Sequence, residues 1–202
     1  MLVWIAIDCA AGLLAVALAT RVRAVQRLDD ALEAAMGPHR ERWRPIAGAA
    51  TLTGEKFVHP VIGAATAAVL FATRGGPPLT FVLPLASASL GGIITHHVVK
   101  FVYHRPRPEV ALLRNKTEAA FPSGHTTNAT AVVTTSAYLL VRAGLMPVAL
   151  AIALVVLLCL ATGASRVALG WHWGTDVIGG WFAGAGVAAA SCWLYEFLSA
   201  TA

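Results

Sequence analysis

Six long apolar stretches limit what this chain can fold into. They lie at 2–20, 57–73, 79–99, 126–142, 145–164 and 176–198 of 202 residues. A helix needs about 20 apolar residues to cross a bilayer, whereas a spanning strand needs only about 10. Within lipid every backbone N–H and C=O must be satisfied by the protein itself, so runs of this length are helices. The fold expected is therefore all-α: an integral membrane six-transmembrane-helix bundle, one domain over 1–202. Charge content supports this. Only 12% of residues are charged, against about 25% in a soluble domain.

The fourth stretch differs from the others. It carries Thr126, Thr127, Asn128, Thr130, Thr134 and Thr135, the composition of a buried helix beside a polar pocket. The first stretch has no basic leader, contains Asp8, and shows no small-residue cleavage site before Arg21. It reads as an uncleaved helix and not as a signal peptide. Cys9, Cys159 and Cys192 all fall within stretches and have no metal-type spacing; they read as small packing residues. In the last stretch Gly180 and Gly184 form a small-xxx-small pair, which allows close packing of helices within the chain.

The connections are unequal. Tight turns are expected at 73–78, through Gly75-Gly76-Pro77-Pro78, and at 142–147. The long connections are 21–56, 101–125 and 165–175, and six spans place all three on one membrane face. In the first, Val25, Leu28, Leu32, Ala35 and Met36 recur at helical spacing, with Asp29, Asp30 and Glu33 opposite. This predicts an interfacial amphipathic helix of about three turns, stopped by Gly37-Pro38. Arg40, Arg42 and Arg44, interleaved with Trp43 and Pro45, read as a basic loop facing headgroups. The net charge of +5 sits largely in loops between spans. That points to anionic lipid and argues against nucleic acid.

Three polar segments stand out against this background. They are Lys100, six residues, then Arg107-Pro108; Pro122-Ser123-Gly124-His125; and Ser165-Arg166, five residues, His172, three residues, Asp176. Ionisable groups beside apolar spans are costly and imply function. Lys100, Arg107 and Arg166 supply three positive charges, and arginine suits bidentate phosphate recognition. Ser123 is a good N-cap and Gly124 permits close backbone approach. The Ser123 hydroxyl and the Gly124 and His125 amides can therefore bind phosphate oxygens at a helix start. His125 is placed to protonate a leaving oxygen. His172 and Asp176, four apart on one helical turn, share a face. A carboxylate on one imidazole nitrogen leaves the other as a nucleophile. The surrounding cations disfavour a metal, so no metal and no cofactor are expected.

The remaining residues receive simpler readings. His39, His59 and His104 stay out of the catalytic set, as do His96 and His97, which lie one helical turn before Lys100 and either line the pocket or hydrogen-bond inside the bundle. Trp171 and Trp173 are interfacial anchors or pocket walls, and Arg105, Arg114 and Lys116 are topology-setting charges. A lipid is expected to approach sideways between the third and fourth spans, with Thr126, Asn128 and Thr130 bordering its headgroup and Ala129 near the mouth.

The three motifs resemble those of the type-2 phosphatidic acid phosphatase superfamily, closely over 100–176 and loosely over 57–199. The resemblance implies a membrane lipid-phosphate phosphatase. His172, His125 and Asp176 would be its catalytic residues, with a phosphohistidine intermediate that water hydrolyses. Lys100, Arg107, Ser123, Gly124 and Arg166 would bind the substrate phosphate. Substrates in such families include phosphatidylglycerol phosphate, phosphatidic acid, undecaprenyl diphosphate, lipid A phosphates and prenyl-phosphosugar phosphates. A lipid phosphotransferase and a vanadate-dependent haloperoxidase share the motifs, although six spans argue against the latter. A transporter would not require all three. The resemblance places the protein in a bacterial plasma membrane with its site on the extracytoplasmic face. The positive-inside count is opposed: Arg21, Arg23, Arg27, Arg40, Arg42, Arg44 and Lys56 lie on the motif face, Arg74 and Arg142 on the other. The reading follows the resemblance.

Overall fold

In the computed structural model, which describes residues 1–75, 79–113 and 118–201, each apolar stretch forms a helix. The chain order is α1 (Leu2–Ala19), α2 (Arg23–Met36), α3 (Arg40–Ala50), α4 (Val58–Arg74), α5 (Leu79–Val102), α6 (Glu109–Leu112), α7 (Gly124–Arg142), α8 (Val148–Ala168) and α9 (Gly174–Thr201). No strand occurs among the described residues. Helices α1, α5, α8 and α9 are each long and apolar enough to cross a membrane. Helix α4 is apolar but has only 17 residues. Helix α7 has 19 residues and is the polar one. Gly76, Pro77, Pro78, Arg114 and Lys116, which figured in the turn and charge readings, lie outside the described residues.

The polar helix sits at the centre. Thr126, Thr127 and Thr135 are completely buried, as are Ala129, Ala131, Val132 and Leu139. Its main partner is α9, and glycines make the approach possible. A Cβ on Gly184 would lie 2.5 Å from the Thr127 carbonyl oxygen, and one on Gly180 would lie 2.8 Å from Thr126 Cβ. The small-xxx-small pair thus serves packing within the chain. Helix α1 lies against the outer side of α9, where a Cβ on Gly12 would meet the Phe182 ring at 2.5 Å.

One expectation for the first connection holds and one is overturned. The amphipathic helix α2 ends at Met36, just before Gly37-Pro38, and Gly37–His39 is a single 3₁₀ turn leading into α3. The supposed basic loop is that helix, with Pro45 inside it. Arg40 is not solvated. Its Nη2 donates to Glu33 Oε1 at 2.7 Å and its Nε to the Ala168 carbonyl at 3.2 Å. Arg40 thereby ties α2 and α3 to the end of α8. The orientation of α2 is also set by a polar contact. Asp29 is buried against the bundle, whereas Leu28 is 70% exposed. The apolar side is divided: Leu28 faces outward, Val25 and Met36 are half-buried, and a Cβ on Gly174 of α9 would lie 3.0 Å from Leu32 Cδ2.

The helices also run further than the apolar stretches. Ser165 and Arg166 belong to the last turn of α8 and not to a loop. His172 precedes α9, so it and Asp176 do not share a helical turn.

Candidate active site

The three motif segments meet at one end of the bundle. Lys100 comes from the last turn of α5. Arg107 comes from the extended segment before α6, Gly124 and His125 from the start of α7, and Arg166 from the last turn of α8. His172 lies in the link to α9. The cavity between them measures about 580 Å³, and Lys100, Arg107, Gly124, His125, Arg166 and His172 all line it.

Arg107 is held rigidly. Its Nε donates to the Glu118 carbonyl at 2.8 Å and its Nη1 to the Trp171 carbonyl at 2.9 Å. Arg166 donates from Nη1 to Thr51 Oγ1 at 2.7 Å, and its guanidinium lies 4.3 Å from the Trp171 ring centre. Lys100 Nζ is 3.6 Å from Glu118 Oε2, and Arg107 Nη2 is 3.9 Å from the same oxygen. Those cations, Lys100 above all, hold the Glu118 carboxyl below the usual carboxylate range.

The tautomer of His172 follows from its neighbours. Nε2 lies 3.2 Å from Arg107 Nη1. A guanidinium only donates, so Nε2 must be an acceptor and its proton sits on Nδ1. Nδ1 faces Asp176 Oδ2 at 3.4 Å. Burial, then the charges of Arg107, Arg166 and Lys100, push the His172 pKa well below 6.5. The imidazole is therefore neutral near pH 7, with its Nε2 lone pair directed at the Arg107 guanidinium.

Two residues of the expected set stand behind the cavity wall. Asp176 is fully buried and reaches the site only through His172. Ser123 is also fully buried. Its hydroxyl accepts from Thr126 Oγ1 at 3.0 Å, and its N–H donates to the Asp176 carbonyl at 3.0 Å. Gly124 is needed for closeness, because a Cβ there would lie 3.0 Å from the His96 ring.

Glu55 and Lys56, just before α4, and Glu118 line the cavity without having been expected there; His96, His97 and Asn128 line it too, as their places beside Lys100 and His125 allowed. Glu55 Oε1 is 3.0 Å from His125 Nε2. His96 is held by Nδ1 against the Gly92 carbonyl at 2.8 Å. His59, by contrast, is an internal residue bonded to Ser89 Oγ at 2.8 Å. The signal for His96 was its position one helical turn before Lys100; Glu55-Lys56 carries no motif. Arg105 is the main misreading. It is no topology charge, since Nη1 donates to Asp176 Oδ1 and Nη2 to Asp29 Oδ2, both at 2.7 Å.

The expected lateral path is closed. A Cβ on Gly92 of α5 would lie 2.7 Å from Asn128 Oδ1 of α7, and Ala129 is completely buried. An apolar groove of about 490 Å³ opens instead between α4 and α5. Pro60, Gly63, Ala64, Leu85, Leu90 and Ile93 are among its walls. Ile93 also borders the catalytic-side cavity, so the two spaces adjoin.

Known proteins resemble this chain in sequence and in fold. The family model of the PAP2 superfamily matches residues 81–199. Phosphatidylglycerophosphatase B of Bacillus subtilis (strain 168) is 30% identical over 178 residues, covering 85% of each chain. Undecaprenyl-diphosphatase BcrC of the same organism is 32% identical over 103 residues, covering 48% of this chain and 49% of that relative. The crystal structure of a transmembrane PAP2-type phosphatidylglycerolphosphate phosphatase from Bacillus subtilis superposes with a TM-score of 0.80. It has 27% identity, over 97% of this chain and 96% of that one. With the motif residues gathered around one cavity and the family model spanning the bundle from α5 to α9, the chain belongs to the PAP2 superfamily.

Proposed function

We propose that this membrane phosphatase hydrolyses a phosphomonoester or diphosphate of a lipid through a covalent intermediate on His172. The observation that carries the reading is the neutral His172, its Nε2 lone pair 3.2 Å from Arg107 in a cavity also lined by Lys100 and Arg166. The three cations bind the non-bridging oxygens and stabilise charge on them in the transition state. Nε2 attacks phosphorus as the bond to the leaving oxygen breaks, and His125 donates the proton that oxygen needs. Water then attacks the phosphohistidine, giving its proton to His125 and releasing phosphate and His172.

The relative covering most of the chain is named for phosphatidylglycerol phosphate, which makes that class of lipid the first expectation. The shorter match to an undecaprenyl-diphosphatase favours a lipid diphosphate as the second. The groove between α4 and α5 supports tail placement: a chain lying there stays in an apolar setting while its phosphate reaches Lys100. In this reading all six stretches span a bacterial plasma membrane, with the site on the extracytoplasmic face. The buried ion pair of Arg40 supports that face, since an arginine spent on Glu33 is not a free topological charge.

The test is phosphate release by purified protein from a panel of phosphatidylglycerol phosphate, phosphatidic acid and undecaprenyl diphosphate. Turnover of phosphatidylglycerol phosphate above the others supports the first expectation. Release from none of them overturns the reading.

A further inference from the structure

We propose that Arg105 and Asp29 are positioning residues of the reaction, acting through Asp176 on the orientation of His172. The proposal rests on the reading of His172 as nucleophile. It starts from a buried ion cluster that joins the first connection to the start of α9. The Arg105 side chain is 10% exposed, and those of Asp29 and Asp176 are 5% and 0% exposed. Arg105 spreads its guanidinium between the two carboxylates, with 2.7 Å to Asp29 Oδ2 and 2.7 Å to Asp176 Oδ1. The same Nη1 also donates to Thr175 Oγ1 at 2.6 Å. Asp29 Oδ1 accepts from Thr175 N at 3.1 Å, so a residue of α2 caps the beginning of α9.

The geometry divides the two oxygens of Asp176 between two tasks. Oδ1 is committed to Arg105. Oδ2 accepts from the Trp173 N–H at 2.9 Å and keeps its remaining lone pair toward His172 Nδ1. Without Arg105, two buried carboxylates would face each other with no shared cation, and Asp176 would be free to turn about its side-chain bonds. The carboxylate that stands 3.4 Å from Nδ1 and favours a proton there would then no longer be fixed in place. Two further contacts fix the guanidinium from the side. It lies 5.6 Å from the Trp173 ring centre, and Trp173 Nε1 donates to the Pro106 carbonyl at 2.9 Å. None of these groups lines the catalytic-side cavity, so their effect on substrate binding should be small.

The experiment uses the purified full-length chain and compares Asp29→Asn, Arg105→Gln, Arg105→Lys and His172→Ala on one lipid phosphate. Partners that orient metal-ligating histidines typically contribute about 10–100-fold, and a reacting imidazole depends on its orientation in the same way. Asp29→Asn and Arg105→Gln should therefore lower kcat by that factor. KM and the inhibition constant for inorganic phosphate should stay within about threefold, because ground-state binding is untouched, whereas the affinity for vanadate should fall along with kcat. The double variant Asp29→Asn/Arg105→Gln should be within about threefold of the worse single variant, since both act through one carboxylate. Arg105→Lys should recover part of kcat. Should Arg105→Gln not fold, the nearly isosteric Asp29→Asn carries the same test.

If His172→Ala is inactive while Asp29→Asn and Arg105→Gln keep wild-type kcat, the positioning role is wrong and the nucleophile stands. A loss expressed in KM and phosphate affinity, with kcat unchanged, equally overturns it. If His172→Ala is active, the nucleophile assignment itself falls, and this proposal falls with it.

Discussion

Asp176 lies directly behind His172, with 3.4 Å between Oδ2 and Nδ1. The carboxylate is completely buried and the imidazole is 2% exposed. One ring nitrogen therefore faces a fixed acceptor and the other faces the guanidinium of Arg107. This is the arrangement in which a histidine is both oriented and kept unprotonated for attack.

Replacing His172 by Ala should abolish turnover while the protein still folds. The imidazole supplies the attacking lone pair, and its removal should cost at least about 10⁴-fold of the rate. Phosphate release by the purified variant checks this. More than a tenth of wild-type activity would exclude His172 as the nucleophile.

His125→Ala should be selective for the leaving group. A general acid matters most where the departing oxygen is basic, with losses of about 10²–10⁴-fold for an alkyl lipid phosphate and less for an aryl phosphate. Steady-state rates on both substrates decide the matter. Equal losses would show that His125 does not protonate the leaving oxygen.

Vanadate should inhibit, and EDTA should not. Three cations around one cavity favour an oxyanion, and five-coordinate vanadate resembles the phosphoryl-transfer transition state. The check is activity after chelation, followed by titration with vanadate. Loss on chelation that a divalent ion restores would refute the mechanism proposed above.

Gly184→Ala should destabilise the bundle without touching the site. Its Cβ would come within 2.5 Å of the Thr127 carbonyl oxygen, and backbone cannot yield as a side chain can. Overpacking of this kind costs about 1–3 kcal/mol. A lowered melting temperature in detergent checks it; an unchanged one would mean that α9 and α7 can separate freely.

Ala64→Trp should hinder long-chain lipids more than a soluble aryl phosphate. Ala64 is an exposed wall of the groove between α4 and α5, so a large ring there obstructs a tail and leaves the cations alone. The kcat/KM ratio for the two substrates measures the effect. Equal losses would mean that the tail does not use this groove.

Much of this protein follows from sequence order alone. The helices are legible because long apolar runs leave the backbone few solutions, and the meeting of Lys100, Arg107, His125, Arg166 and His172 around one cavity is legible in the spacing of the three polar motifs. Tertiary structure decided the rest, for reasons of packing and charge pairing that no local pattern carries. Arg40 and Arg105 look like any loop arginines until Glu33 and Asp29 are seen beside them. Ser123 looks like a cavity residue until α9 covers it. Glu55 and His96 join the site only because α4 and α5 close around the same cavity. The apolar groove beside the site lies between α4 and α5 and not between α5 and α7, since Gly92 lets α5 press closely on Asn128 of α7.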